Sequence, residues 1–200
     1  WLLWGSLIVT ALVIYFTQFL PFNYTVNSSL YAGITNSTNL DGTELLNINS
    51  TFDNIINIAK SKSTLEKVSI RLLATNLVHG DEWKDNMYIQ AKHYRQLVQA
   101  TPKEVLALVN RSSVDKTTEN LTKYRKESGQ NYIYAIFSRP TAYYSYAALN
   151  TIDVKRLGTS DLIEINYTTT DPGIAQNTVK ILEDELMKAY EILRFSATNN

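Results

Sequence analysis

The sequence predicts an α+β protein, in which an N-terminal transmembrane helix leads into a mixed membrane-proximal domain with a small sheet and a long C-terminal helix. Three patterns predict this class. Residues 1–22 are almost wholly apolar, residues 149–169 alternate apolar and polar side chains on both sides of a turn, and residues 171–193 repeat apolar side chains at helical spacing. We therefore expect a membrane helix over residues 1–22 and a folded domain over residues 23–200.

The N-terminal segment has the expected length and flanks of a membrane-spanning helix. Every charged side chain lies at or beyond Asp41, and aromatic residues stand near both ends of the segment. At about 1.5 Å per residue, residues 1–20 would cover roughly the 30 Å hydrocarbon core of a bilayer. Pro21 would end the helix because it has no amide hydrogen. The alternatives are a buried core helix and a signal peptide, which would need a basic start and a small-residue cleavage site.

The composition excludes several classes of function. The 200 residues carry 19 basic and 19 acidic side chains and no marked basic run, so nucleic acid is not an expected partner. Cysteine is absent, which removes disulfides, thiol catalysis and cysteine metal sites. We expect no cofactor.

The first half of the domain reads as one strand followed by helices. Residues 23–34 alternate polar with apolar side chains and predict a strand. Apolar residues at helical spacing then begin at Phe52. Capping boxes at residues 63–66 and 101–104 predict two further helix starts, because a hydroxyl and a carboxylate can each satisfy a first-turn amide.

The second half predicts three strands and a helix. Residues 132–137 are a short strand candidate, and residues 149–157 and 161–169 form a hairpin through residues 158–160. Alternation places Ile163, Ile165 and Tyr167 on one face of its second strand.

The C-terminal helix carries the sharpest periodicity. Asp171 would cap it and Pro172 would be its first residue. Apolar residues then recur four and three positions apart, which is a heptad seam: Ala175, Val179, Leu182, Leu186, Ala189 and Leu193. Such a seam packs either on the sheet of its own domain or on a neighbouring subunit.

Candidate sites for chemistry are few. His79 stands beside acidic residues without a second histidine, which is typical of a solvated loop rather than of a metal ligand. His93 is expected on a helix surface. Tyr143, Tyr144 and Tyr146 are candidate glycan contacts, since a tyrosine ring offers a flat apolar face with a polar tip, although strand packing uses the same residues.

The order of these elements resembles the Wzz-type chain-length determinant domain of polysaccharide co-polymerases. A membrane helix enters a strand, and the resemblance is carried further by residues 52–56, 61–68, 161–165 and 170–175. Its most specific part is a hydrophobic strand followed closely by the helix start at Asp171 and Pro172, with Ala175 one turn on. No residue in this pattern needs to be catalytic.

The resemblance implies a function by assembly rather than by chemistry. It implies a homo-oligomer in contact with the lipid bilayer and with a polysaccharide polymerase or export channel, which regulates the length or export of a surface glycan. It also implies a bacterial inner-membrane location with the bulk of the chain in the periplasm. Members of the family have a second membrane helix, and some have a tyrosine kinase. Neither lies within residues 1–200, so we expect a fragment of a longer protein.

Two other classes of function compete with this interpretation. A membrane-tethered sensor ectodomain would have a pocket for a small ligand. An envelope enzyme would have convergent titratable groups, of which a buried carboxylate pair would be the clearest sign.

Overall fold

The computed structural model describes residues 2–17, 22–32 and 42–198, and the side chains of 4–17, 22–32 and 49–190. These ranges contain nine helices and three strands. In chain order they are α1 (Leu2–Thr17), β1 (Tyr24–Tyr31), α2 (Gly42–Lys60), α3 (Lys62–His79), α4 (Ala91–Ala100), α5 (Lys103–Leu106), α6 (Val114–Glu127), α7 (Tyr132–Ser138), α8 (Tyr146–Leu149), β2 (Asp153–Arg156), β3 (Leu162–Thr169) and α9 (Pro172–Thr198). The domain is therefore mixed α+β, as expected.

The described N-terminal helix, α1, is shorter than the predicted span of residues 1–22. Helix α1 covers 16 residues, or about 24 Å, which is less than the roughly 30 Å hydrocarbon core of a bilayer. Among the residues that the structure describes, no helix is both long and apolar enough to cross a membrane. The predicted spanning helix over residues 1–22 is therefore wrong, and so is the inner-membrane location that rests on it.

The sheet has three antiparallel strands in the order β1-β3-β2. Along β1, Tyr24 stands opposite Thr169 and Tyr31 stands opposite Leu162. Alternate residues of β3 are buried. They are Ile163, Ile165 and Tyr167, the residues predicted to share one face of the strand. The start of β1 and the end of β3 therefore lie at the same end of the sheet, which is where α9 begins.

The predicted hairpin is confirmed, with a shorter first strand. Gly158 lies in its turn at a φ of 59°, a left-handed conformation that favours glycine. Strand β2 covers Asp153–Arg156 rather than residues 149–157, because Tyr146–Leu149 forms the short helix α8. In α8, the Ser145 hydroxyl accepts a hydrogen bond from the amide of Ala148.

The strand predicted over residues 132–137 is a helix, α7. A short apolar run fits either structure by periodicity alone. The deciding contact is local, since the Asn131 side chain accepts a hydrogen bond from the amide of Tyr134 and caps the helix. The buried residues Ile133, Ile136 and Phe137 then fall on one helical face.

Helix α3 runs through the centre of the domain. It contacts α9, α6 and α8, and most of its residues from Val68 to Val78 are buried. Two of its buried polar side chains are bonded to Tyr144: the Ser69 hydroxyl donates to the Tyr144 carbonyl, and the Asn76 amide donates to the Tyr144 hydroxyl. Helix α3 therefore fixes the segment that follows α7.

Two predicted capping boxes behave differently from expectation. Helix α3 is capped by Ser61 rather than by Ser63, since the Ser61 hydroxyl accepts a hydrogen bond from the amide of Thr64. The box at residues 101–104 does not form. The Thr101 hydroxyl donates backwards to the Leu97 carbonyl at 2.7 Å, and α5 has no side-chain cap.

Candidate functional site

A buried carboxylate at the start of α9 is the centre of the most connected polar cluster. Asp171 is fully buried, and its Oδ1 accepts a hydrogen bond from the amide of Ile174 at 3.1 Å. Its Oδ2 accepts from the amide of Gln90 at 2.9 Å and from Nδ1 of His93 at 2.7 Å. One carboxylate therefore caps α9 and holds the first turn of α4.

A chain of side-chain hydrogen bonds leads outward from Asp171. Nε2 of His93 lies 3.2 Å from the Tyr143 hydroxyl, which lies 2.8 Å from the hydroxyl of Thr170. The His93 and Tyr143 rings are also in contact, with centroids 5.3 Å apart. Three segments far apart in sequence thus meet: α4, the loop before α8, and the end of β3.

The carboxylate sets the direction of these hydrogen bonds. An ionised carboxylate only accepts, so Nδ1 of His93 carries the proton that faces Asp171. In the neutral imidazole, Nε2 then accepts from the Tyr143 hydroxyl, and Thr170 donates to Tyr143. The chain of bonds holds the Tyr143 ring in one orientation.

The connectivity of Tyr143, His93 and Asp171 is that of a nucleophile, a base and an orienting acid. The electrostatics oppose that use. Burial raises the pKa of the Tyr143 hydroxyl, the Thr170 bond lowers it, and the charge of Asp171 raises it further. A raised pKa makes the phenolate scarcer, and the bonds to His93 and Thr170 hold the ring in place, so we interpret the cluster as positioning Tyr143 rather than activating it.

A groove lies beside this cluster, between α4 and the segment from α7 to Tyr144. We call it the α4–α7 groove. Its volume is about 360 Å³, and its lining residues are His93, Gln96, Leu97, Ala100, Tyr132, Ala135, Ile136, Arg139, Thr141, Ala142, Tyr143 and Tyr144. Apolar and polar side chains both line it.

The three predicted tyrosine contacts have different surroundings. Tyr143 lines the groove with its half-buried ring. Tyr144 also lines it but is buried, and its hydroxyl is bonded to Asn76. Tyr146 is not among the lining residues; it packs edge-on against Phe137 at a centroid distance of 6.0 Å. Of the three, only Tyr143 both lines the groove and is partly exposed.

The seam of α9 faces the interior of its own domain. Ala175, Val179, Leu182 and Leu186 are all buried, and α9 contacts α3, α2, β1 and β3. Leu193 lies outside the residues whose side chains the structure describes. These four residues of the seam are thus covered by this chain itself, and Ala189 is half-buried.

The residues of the family pattern have structural roles in this fold. Asp171 caps α9, Pro172 is its first residue and Ala175 is fully buried one turn on. Gly173 lies between them, where a Cβ atom would stand 2.6 Å from the backbone carbon of Tyr88. The close contact of α9 with the loop before α4 therefore requires a residue without a side chain here.

Sequence reasoning missed two members of the site. His93 was expected on a helix surface, but its side chain is only 14% exposed and bonds Asp171. The missed signal is helical spacing, because Tyr94 and Leu97 share the buried face of α4 and His93 stands at the edge of that face. No sequence pattern identified Arg139. Its position at the end of α7 is apparent only from the structure, because residues 132–137 were predicted to be a strand.

The two histidines have different surroundings. Within the described ranges, no three His, Asp or Glu side chains converge as metal ligands would. His79 is exposed and stacks on Tyr88 with ring centroids 4.1 Å apart.

The comparisons with known proteins add no relative to these observations: no protein-family model, curated protein or solved structure matches the chain.

Proposed function

We propose that this domain is the self-assembling part of a polysaccharide co-polymerase, which regulates the chain length or export of a surface glycan without catalysing a reaction. Its partners would be copies of itself and a polysaccharide polymerase or export channel. The proposal starts from the residue pattern around Asp171 and Pro172, and the following features of the fold support it.

The observation that carries the proposal is the length of α9 relative to the sheet. Helix α9 has 27 residues, or about 40 Å, whereas β1 and β3 have 8 residues each, or about 26 Å. Tyr190 on α9 already lies beside Tyr31 at the far end of β1. The remaining turns therefore extend past the sheet, as the long helix of a Wzz-type domain would.

An exposed apolar surface surrounds the point where α9 passes the sheet. A groove of about 220 Å³ is lined there by Leu30, Tyr31, Ala32, Ile55, Ile163, Leu186, Met187 and Tyr190. Tyr31 is 67% exposed and Met187 is 51% exposed. We call this the β1–α9 surface. Exposed apolar surface of this kind is typical of protein contacts, so we assign self-association to it rather than to the buried seam.

The hydrogen-bonded cluster around Asp171 is compatible with a function by assembly. The most enzyme-like cluster among the described residues has the pKa of its terminal Tyr143 hydroxyl raised rather than lowered. The buried carboxylate Asp171 already accepts three hydrogen bonds from the chain itself. These groups stabilise the junction of α4 and α9.

The test is the assembly state of a β1–α9 surface variant. Met187→Lys places a charge on the exposed surface, and Met87→Lys is its matched control, since Met87 is also exposed, at 64%, and lies in the loop before α4. We expect a wild-type oligomer in sedimentation velocity, a smaller species for Met187→Lys and no change for Met87→Lys. In cells, Met187→Lys should alter the length distribution of the surface glycan.

A wild-type chain that remains a monomer at every concentration would contradict the proposal. The proposal would also be contradicted if Met187→Lys left both the oligomer and the glycan length distribution unchanged.

The second candidate function is a sensor domain that binds a small ligand. The α4–α7 groove favours it, since about 360 Å³ lies within the range of roughly 300 to 1,000 Å³ that ligand pockets occupy. A monomer whose shape or stability changes on addition of a ligand would support the sensor over the co-polymerase.

A further inference from the structure

The α4–α7 groove has the chemistry of a carbohydrate site for an acidic sugar. We propose that it binds one pyranose unit that carries a carboxylate, with Arg139 on the carboxylate and Tyr143 against the ring. This inference rests on the proposed function, because it identifies the part of the glycan that the domain would contact.

Two of the three tyrosine rings that line the groove are partly exposed, and both are held before any ligand binds. The Tyr143 hydroxyl is fixed by His93 and Thr170. The Tyr132 hydroxyl lies 3.2 Å from the hydroxyl of Thr101. Rings that are fixed in advance lose little conformational entropy on binding. Each offers a flat apolar face of the kind that can stack on the C–H face of a pyranose.

Two further polar side chains of the groove are free to bind a ligand. Gln96 on α4 and Arg139 after α7 are exposed. Their side chains make no hydrogen bond or ion pair with any other residue that the structure describes. The Gln96 amide can both donate to and accept from sugar hydroxyls. The guanidinium of Arg139 offers a fork of donors that matches a carboxylate.

The charge of the groove decides between an acidic and a neutral sugar. None of its lining residues is an aspartate or a glutamate. The acid next to it, Asp171, is fully buried and is bonded to His93, Gln90 and Ile174. Arg139 therefore has no acidic partner in the groove. A ligand carboxylate would supply one through charge-assisted hydrogen bonds.

The size of the groove fits one sugar unit rather than a long segment. Its volume of about 360 Å³ is near the lower limit of roughly 300 Å³ for ligand pockets. The occupant is therefore one unit of a chain, or a free monosaccharide, whose ends remain in solvent.

The test is NMR titration of the isotope-labelled chain with D-glucuronate, with D-glucose and the methyl ester of glucuronate as controls. We expect saturable shifts for Gln96, Ala135 and Ala142 with glucuronate. The two neutral sugars should bind about tenfold more weakly, because they lack the charge that pairs with Arg139.

Variants identify the contacts. Arg139→Gln should reduce glucuronate affinity about tenfold, to that of glucose. Arg95→Gln is the matched control. Like Arg139, Arg95 is exposed, but it lies on α4 and does not line the groove. This variant should leave the affinity unchanged. Tyr143→Phe keeps the ring and should bind both sugars, whereas Tyr143→Ala should bind neither.

Three results would overturn the inference: no shift in the groove with glucuronate, equal affinity for glucuronate and glucose, or equal affinities in Arg139→Gln and wild type. Equal affinity for the two sugars would identify a neutral-sugar site instead. The readout does not depend on assembly. A monomer that binds glucuronate would retain this inference and reject the co-polymerase, and an oligomer that binds no sugar would do the reverse.

Discussion

Asp171 and His93 are 78 positions apart in the chain, yet Oδ2 of Asp171 accepts a hydrogen bond from Nδ1 of His93 at 2.7 Å. The other oxygen of the same carboxylate caps α9 through the amide of Ile174. The start of the longest helix and the start of α4 are therefore fixed by one side chain. This junction also orients Tyr143, which lines the α4–α7 groove.

Removing that carboxylate should destabilise the domain more than the loss of an ordinary cap. Asp171→Ala removes an N-cap, at about 1 kcal/mol, and leaves the buried donors of Gln90 and His93 unpaired, at about 1 to 3 kcal/mol. We expect the free energy of unfolding in urea to fall by about 3 kcal/mol. Ser61→Ala is the control, since Ser61 caps only α3, and it should cost about 1 kcal/mol.

Equal losses in Asp171→Ala and Ser61→Ala would show that Asp171 acts as a cap alone. The link to His93 would then contribute nothing to stability.

Gly173 should tolerate no added methyl group. Its Cβ would stand 2.6 Å from the backbone carbon of Tyr88 and 2.8 Å from its oxygen, and backbone atoms have little room to move. We expect Gly173→Ala to lower the free energy of unfolding by about 1 to 3 kcal/mol, the usual cost of overpacking. Gly129→Ala meets nothing within 4 Å and should change it by less than about 0.5 kcal/mol. Urea denaturation of both variants tests the contact, and similar stabilities would refute it.

Substitutions in the seam of α9 should lower the stability of the fold rather than the size of the oligomer. Leu182 is fully buried, whereas Met187 on the same helix is 51% exposed. Leu182→Ala should therefore cost about 2 to 5 kcal/mol in unfolding experiments, and Met187→Ala should stay within about 0.5 kcal/mol. A Leu182→Ala variant of wild-type stability with a reduced oligomer size would instead place the seam between subunits.

Alkaline pH should destabilise the fold through buried tyrosines. Burial raises the pKa of Tyr167 to about 12, and the Thr169 bond opposes the rise. The unfolded tyrosine has a pKa of about 10. Below pH 10 both states hold the proton. Between about pH 10 and 12 only the folded state holds it, so stability falls with rising pH, by up to about 1.4 kcal/mol per pH unit.

Tyr167→Phe removes that titration and leaves the ring in place. Between about pH 10 and 12, the free energy of unfolding measured with guanidinium should fall less steeply for this variant than for wild type. Burial also raises the pKa of Tyr144, so part of the alkaline loss should remain in Tyr167→Phe. Parallel pH profiles for the two proteins would contradict the assignment.

The elements that the sequence predicted correctly depend on contacts a few residues apart. The hairpin follows from alternation on both sides of Gly158, and the start of α9 follows from Asp171 capping the amide of Ile174. The buried face of α9 follows from its own period. Each of these signals acts within one turn of the chain, so a sequence pattern can reveal it.

Other features depend on packing contacts with residues that are distant in the sequence. Residues 132–138 fit a strand or a helix equally by pattern, and the helix packs Ile133, Ile136 and Phe137 into the core. The heptad seam could have met a second subunit, but the described part of it is covered by α3 and the sheet. The predicted spanning helix was wrong because spanning requires length as well as apolar composition, and no helix among the described residues has both.

The sequence by itself determined the α+β class, the hairpin and the long capped helix, because periodicity and capping are short-range. Only the tertiary structure decided that Asp171 holds His93, that Tyr143 lies beside them and that Arg139 stands free at the groove. These groups are separated by tens of residues, and their meeting depends on the packing of α4, α7 and α9 around α3. Long-range packing of this kind leaves no local pattern in the order of the residues.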